Sequence, residues 1–143
     1  MNKKIVSLVL LFFILCLCFN SCYTYYSPLP SDFGGGTYYA HLLGEEGIVL
    51  STVENDPEKL EGFYEYQGKV HYIYVELHLR LHGEGADALI YDAESHEMLA
   101  SVLFDCNENQ IILYEVIRYN DPPKIDFFEL YESSPIILEK YGS

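Results

Sequence analysis

The chain has no tryptophan, and only 8 of its 143 residues are lysine or arginine, against 22 aspartates and glutamates. A formal net charge of -14 repels phosphate backbones and excludes nucleic acid as a partner. Cysteine is scarce as well: Cys16, Cys18 and Cys22 lie close to the N-terminus, and beyond them only Cys106 remains. A single thiol makes no internal disulfide, and Cys106 is expected to be a buried, inert one, since Asp105 and Glu108 beside it oppose a reactive thiolate. Catalytic patterns are missing too. There is no Gly-x-Ser-x-Gly, no lysine-bearing phosphate loop and no His-Glu-x-x-His. The chain is therefore expected not to be an enzyme and to need no cofactor. It also lacks an apolar run of the about 20 residues that a membrane-spanning helix needs. With 50% hydrophobic and 15% aromatic residues, it can still form a packed core, and at this length it forms one domain.

The one extended apolar run, Ile5 to Phe19, is broken only by Ser7 and follows Lys3 and Lys4. A short positive segment followed by a run of this length has the layout of a secretory signal. The run leads into Phe19-Asn20-Ser21-Cys22, which resembles the lipobox of bacterial lipoproteins, with Ser21 as the small residue before the cysteine. The resemblance implies cleavage before Cys22, attachment of a diacylglyceryl group to its sulfur and acylation of the new N-terminus. It places the protein in the bacterial cell envelope, held to the lipid bilayer through acylated Cys22. Tyr23, where an aspartate would signal inner-membrane retention, points to the outer membrane. Two or more acyl chains make such an anchor stable. An ordinary signal cut elsewhere and an uncleaved anchor are the competing readings. Residues 1–21 are thus assigned to a signal peptide, 22–36 to the lipidated cysteine and an extended, proline-bearing tether, and 37–143 to an all-β domain.

The β assignment rests on period-2 alternation. From Val70 to His82, Ile73, Val75, Leu77, Leu79 and Leu81 share one face, and Tyr72, Tyr74, Glu76, His78, Arg80 and His82 share the other. A helix would set Glu76 and Arg80 inside its apolar stripe. Further strands are expected over Thr37–Leu43, Gly47–Val53, Leu60–Tyr66, Ala86–Tyr91, Glu97–Phe104, Ile111–Tyr119 and Ile125–Tyr131. In Glu97–Phe104 the inward set would be Met98, Ala100, Val102 and Phe104. Asp56-Pro57-Glu58-Lys59 offers a single helical turn with Asp56 as its cap. Pro135–Lys140 is a last strand or a tail. Joints such as Gln67-Gly68 and Asp92-Ala93-Glu94-Ser95 are short, so successive strands should pair antiparallel in a meander, as a barrel or sandwich of about eight strands. This arrangement resembles small lipocalin-like barrels found in bacterial lipoproteins, with Gly36-Thr37-Tyr38 in the place of their first-strand Gly-x-Trp.

The stripe Tyr72, Tyr74, Glu76, His78 and Arg80 is the candidate contact surface. It reads as a solvated strand face held by cross-strand pairs, as a protein-binding strip, or, if it faces a lumen, as the lining of a pocket for a small apolar ligand. Strong negative charge adds a further alternative, an acidic inhibitor or immunity-type protein that binds a basic enzyme. No metal site is expected. His78 and His82 share a face but stand four residues apart, about 13 Å along a strand, too far for one ion. The carboxylates Glu45-Glu46, Glu58-Glu61 and Asp92-Glu94 fall in expected turns and read as solvated charge.

Overall fold

A computed structural model of the protein describes residues 2–21, 29–30, 33–41, 47–80, 85–116 and 121–142. Helix α1 (Lys3–Ser21) covers the N-terminal apolar run. Among the described residues no helix is long and apolar enough to cross a membrane. Cys22 and the start of the expected tether, Tyr23 to Pro28, lie outside the described residues.

Eight strands close into an antiparallel barrel in chain order, so the expected all-β meander is the observed fold. They are β1 (Thr37–His41), β2 (Gly47–Val53), β3 (Asp56–Tyr66), β4 (Lys69–Leu79), β5 (Ala86–Asp92), β6 (Met98–Cys106), β7 (Gln110–Tyr114) and β8 (Ile136–Lys140). The two-residue turn Gln67-Gly68, with both φ angles positive (50° and 72°), joins β3 to β4. Such a turn matches the right-handed strand twist and fixes the register, here Tyr66↔Lys69 and Phe63↔Tyr72.

Alternation fills the lumen. Ile48 and Leu50 of β2, Ile73, Val75 and Leu77 of β4, Ile111 and Leu113 of β7, and Ile136 and Leu138 of β8 are all buried. Small residues meet large ones across the strands, as in Ala88↔Leu77, Ala88↔Val102 and Ala100↔Ile90, which lets branched side chains interdigitate in a narrow barrel. Each such aliphatic side chain contributes about 1.5–3 kcal/mol by leaving water. Gly62 lets the β2 backbone approach β3 closely, because a β-carbon there would drive into the Val49 carbonyl oxygen.

Several expectations need correction. Leu79 is 43% exposed because β4 ends there, while Leu81 and His82 lie outside the described residues. Met98 is 45% exposed. A register shift between Ile90 and Tyr91 turns both Leu99 and Ala100 inward in its place. Asp56-Pro57-Glu58-Lys59 opens β3 and forms no helical turn; Asp56 Oδ1 accepts from the Glu58 amide at 3.2 Å, and Asn55 before it has φ 62°. Strand β7 stops at Tyr114, short of Tyr119. Beyond it, β6 is met by a loop: the Leu99 carbonyl accepts from the amides of Lys124 (2.8 Å) and Ile125 (3.1 Å).

The largest departure is Ile125–Tyr131, which forms the short helix α2 (Phe127–Leu130) in place of a strand. Asp126 caps it, its carboxylate accepting from the amides of Phe128 (3.0 Å) and Glu129 (3.1 Å). The ladder position beside β7 belongs to β8, paired Ile111↔Leu138 and Leu113↔Ile136.

The barrel has two mouths. The upper one lies at the C-terminal ends of β1, β3, β5 and β7, and α2 plugs it with Phe127, Phe128 and Tyr131, all buried. Phe127 meets Tyr64 edge to face at 5.1 Å, and the Tyr131 hydroxyl donates to the Gly47 carbonyl at 3.2 Å. The lower mouth, at the opposite ends, is covered by the segment around Leu29 and Phe33, both half-buried against the core. Phe33 stacks on Tyr38 at 5.2 Å, and Gly36 and Thr52 exchange hydrogen bonds at 3.0 Å. Part of the expected tether is thus docked on the barrel. Cys106 sits at this mouth, half-buried where full burial was expected.

Candidate functional site: an aromatic and acidic groove on the outer wall

The outward residues of β3 and β4 form two facing rows. Register sets Lys59 against Glu76, Glu61 against Tyr74, Phe63 against Tyr72 and Glu65 against Val70. With the lumen occupied by the opposite faces of these strands, the Tyr72 row stands outside the barrel. It therefore does not line an interior pocket, and that alternative is overturned.

The rows are knitted together by rings. Phe63 and Tyr72 meet edge to face at 6.2 Å, and Tyr74 stacks on Tyr91 of β5 at 5.0 Å with the planes 10° apart. Lys59 Nζ lies over the other side of the Tyr74 ring, 5.0 Å from its centre, and 3.5 Å from Glu61 Oε1. The Tyr74 hydroxyl shares a 3.3 Å hydrogen bond with Nδ1 of His96, on the turn between β5 and β6. Partial burial pushes the pKa of the Tyr91 hydroxyl up, and the Glu76 carboxylate, which accepts its proton in a hydrogen bond, pushes it further.

All of these side chains but Tyr91, which backs Tyr74, line an open groove of about 770 Å³ that runs from Lys59 and Glu76 to Ala93 and His96. Tyr72 is its most prominent feature, a ring 67% exposed at the rim. A second open groove, about 580 Å³, adjoins it and shares Val49 and Phe63; its far wall is Tyr39 and Tyr141, whose rings meet edge to face at 6.0 Å. An aromatic belt therefore crosses the outer wall from β1 to β5.

The structure divides the sequence-derived stripe. Tyr72, Tyr74 and Glu76 belong to the groove. His78 and Arg80 do not. His78 lies 3.7 Å from Glu76, and Arg80 pairs with Asp87 of β5 at 3.6 Å, both well exposed. Phe63, Tyr91, His96 and Tyr141 were not singled out from sequence, and Glu58 and Glu61, expected in a turn, lie in strand β3. The signal for Glu61 and Phe63 existed, because a two-residue turn at Gln67-Gly68 dictates which β3 residues face Tyr72 and Tyr74. Tyr91 and His96 depend on the next hairpin, whose bulge hides their placement.

Chemically the groove offers ring faces, carboxylates, an imidazole and an ammonium. Among the described residues no three of His, Cys, Asp and Glu gather into a metal-binding group. No family model matches the chain, and no curated protein or solved structure matches it either.

Proposed function

We propose that the protein is a non-enzymatic binding module of the bacterial cell envelope, anchored in the outer membrane through acylated Cys22, that holds a partner protein on its outer wall. The observation that carries this reading is the division of apolar side chains between two surfaces. The inward faces of the strands carry aliphatic and aromatic side chains that are almost fully buried, while large rings such as Tyr72 and Tyr141 stand 67% and 75% exposed on the wall. A carrier of small apolar ligands needs an empty, enclosed space. An interaction module needs a filled core and exposed aromatic anchors, since tyrosine is favoured at the centres of interfaces.

The docked N-terminal segment supports an orientation. Leu29 and Phe33 pack at the lower mouth, so the residues from Cys22 to Leu29 reach at most about 25 Å from the bilayer. The lower mouth then faces the membrane, and the aromatic belt lies along the side of the barrel, open to neighbours in the envelope.

Fractionation tests the anchor. Cys22→Ser should release the protein from membranes, and mass spectrometry of the natural protein should find acyl chains on Cys22. Retention of the variant together with an unmodified cysteine would remove the lipoprotein reading. Photocrosslinking in intact cells tests the module. A crosslinker at Tyr72 should capture a discrete partner that one at Ile137, on the far wall, does not.

A further inference from the structure

The partner chemistry follows from the charges around Tyr72, taking as its base the reading of the outer wall as a binding surface. On β3 the outward row runs Glu61, Phe63, Glu65, and Phe63 sits directly opposite Tyr72. Residues one step either side of a directly paired residue are diagonal neighbours, about 7–8 Å away. Tyr72 therefore has a carboxylate on each diagonal, with the Phe63 ring held edge-on between them. This places an exposed π-face between two anionic groups.

The groove already uses this arrangement once on itself. Lys59 Nζ rests over Tyr74 while pairing with Glu61, so ring and carboxylate jointly hold an ammonium. The Tyr74 face is filled by that contact on one side and by Tyr91 on the other. Tyr72, 67% exposed, repeats the motif one position along, and among the described residues the only ammonium set over a ring of this groove is the one on Tyr74. The Lys59–Glu61 pair is itself exposed, its carboxylate side chain 60% accessible, and such pairs are worth little, so Glu61 can turn to a guest at small cost.

We infer that the Tyr72 ring, with Glu61 and Glu65 beside it, receives an arginine side chain from a basic segment of a partner protein. Arginine fits better than lysine: its planar guanidinium stacks on an aromatic face while its edge donors reach a carboxylate. The formal net charge of -14 draws a basic segment to the barrel over longer range and speeds encounter at low salt. The groove is open, which suits a peptide strand crossing the wall more than a small molecule needing enclosure.

The test uses the full chain in an uncharged detergent, with a hexa-arginine peptide as probe and hexaglutamine as control, followed by NMR and fluorescence titration. Hexa-arginine should bind, shift the Tyr72 ring signals and bind more weakly as salt rises; hexaglutamine should not bind. Tyr72→Ala should weaken binding about fivefold, Tyr72→Phe should keep it, and Glu61→Gln with Glu65→Gln should weaken it and flatten the salt dependence. Ile137→Ala on the far wall should leave it unchanged. Circular dichroism checks that each variant keeps the strand spectrum. Absence of hexa-arginine binding, or binding that Tyr72→Ala alters by less than about twofold, would overturn the inference. Should hexa-arginine fail while cellohexaose binds in a Tyr72-dependent way, the arginine assignment falls and the wall stands as a binding surface for another ligand. Should photocrosslinking at Tyr72 also capture nothing, the binding-module reading falls with it.

Discussion

At the upper mouth, Phe127 is 1% exposed and Phe128 8%, and the helix that carries them is capped by its own aspartate. At the lower mouth, Phe33 and Leu29 are only half-buried; the contacts there include the Phe33–Tyr38 stack and the Gly36–Thr52 hydrogen bonds. Both closures exclude water from the same lumen, but only the first is embedded in it. The upper plug is therefore part of the folding unit. The lower cover is a docked strip, expected to lift without unfolding the barrel. The strip also leads to the proposed anchor, so tension on the tether would act first on the Leu29 contact and then on the Phe33–Tyr38 stack.

The sharpest way to break this comparison is to truncate each plug. Phe127→Ala removes a fully buried ring and should destabilise the barrel by about 3–5 kcal/mol, read as a lower urea midpoint for the whole domain. Phe33→Ala should cost about 1 kcal/mol and leave the transition cooperative. Its mark should be local: faster hydrogen exchange at the Thr52 amide, which donates to the Gly36 carbonyl at 3.0 Å, with slow exchange kept in β4. Equal losses from the two variants would mean that the lower cover is as integral as the upper plug.

Phenol ionisation sharpens the same contrast. Tyr64 lies under the upper plug and Tyr38 under the lower cover, and burial raises the ionisation of both above the ordinary value of 10.0. Because the folded state holds these protons more tightly than the unfolded chain, both groups favour folding below that value. This contribution is lost as pH rises from that value through the raised, folded-state one. Alkaline titration should therefore unfold the natural protein as these groups give up their protons. In Phe33→Ala, water reaches Tyr38 and its ionisation should fall towards the ordinary value, while that of Tyr64 stays raised. Ultraviolet difference spectra of Phe33→Ala against the natural protein check this.

Much of the barrel was legible because strand alternation is a local signal. Gly47–Val53 has the anticipated bounds, and Ile73, Val75 and Leu77 turn inward as their spacing requires. The misses have physical causes. Phe127, Phe128 and Tyr131 carry strong β propensity, which masked the helix-start signal Asp126-x-x-Glu129. Only the tertiary gap at the upper mouth decides between the two. Leu79 and Met98 fit the alternation, yet each meets a strand end or a bulge, and these depend on neighbouring strands. Leu29 and Phe33 sit among prolines and glycines that read as tether, and no periodicity announces that a single ring will stack on Tyr38. On the outer wall, Tyr72, Tyr74 and Glu76 were visible as a stripe, while their acidic and aromatic neighbours arrive from strands whose register only the turns determine.

Asp126→Ala is the next smaller perturbation. It removes the acceptor for two amides at the start of α2 and should cost about 1 kcal/mol, loosening the plug without emptying the lumen. Hydrogen exchange should quicken at Phe128 and Glu129 and hardly change at Thr52. If Thr52 responds equally, the two mouths are coupled through the core and the contrast between them is weaker than the packing implies.

The smallest effect concerns acid. Asp92 ends β5 at the upper mouth, and its Oδ1 accepts from the amides of Ser95 (2.7 Å) and Glu94 (3.0 Å). The Ser95 amide is the main cause that holds its carboxyl below the ordinary value of 3.8, with the Glu94 amide and the charge of His71 adding to it. A lowered carboxyl favours the folded state above its unfolded value, and that contribution disappears as pH falls through the folded one. The group is exposed, so the turn should loosen while the barrel stays folded. As pH falls below the ordinary carboxyl value of 3.8 and through the lowered one, exchange protection at the Ser95 amide should fall, whereas protection at Thr52, whose acceptor is a backbone carbonyl, should hold. Asp92→Asn should abolish the pH dependence at Ser95 and leave Thr52 as it was. Parallel loss at both amides would mean that acid acts on the whole barrel, and the upper turn would then have no separate response.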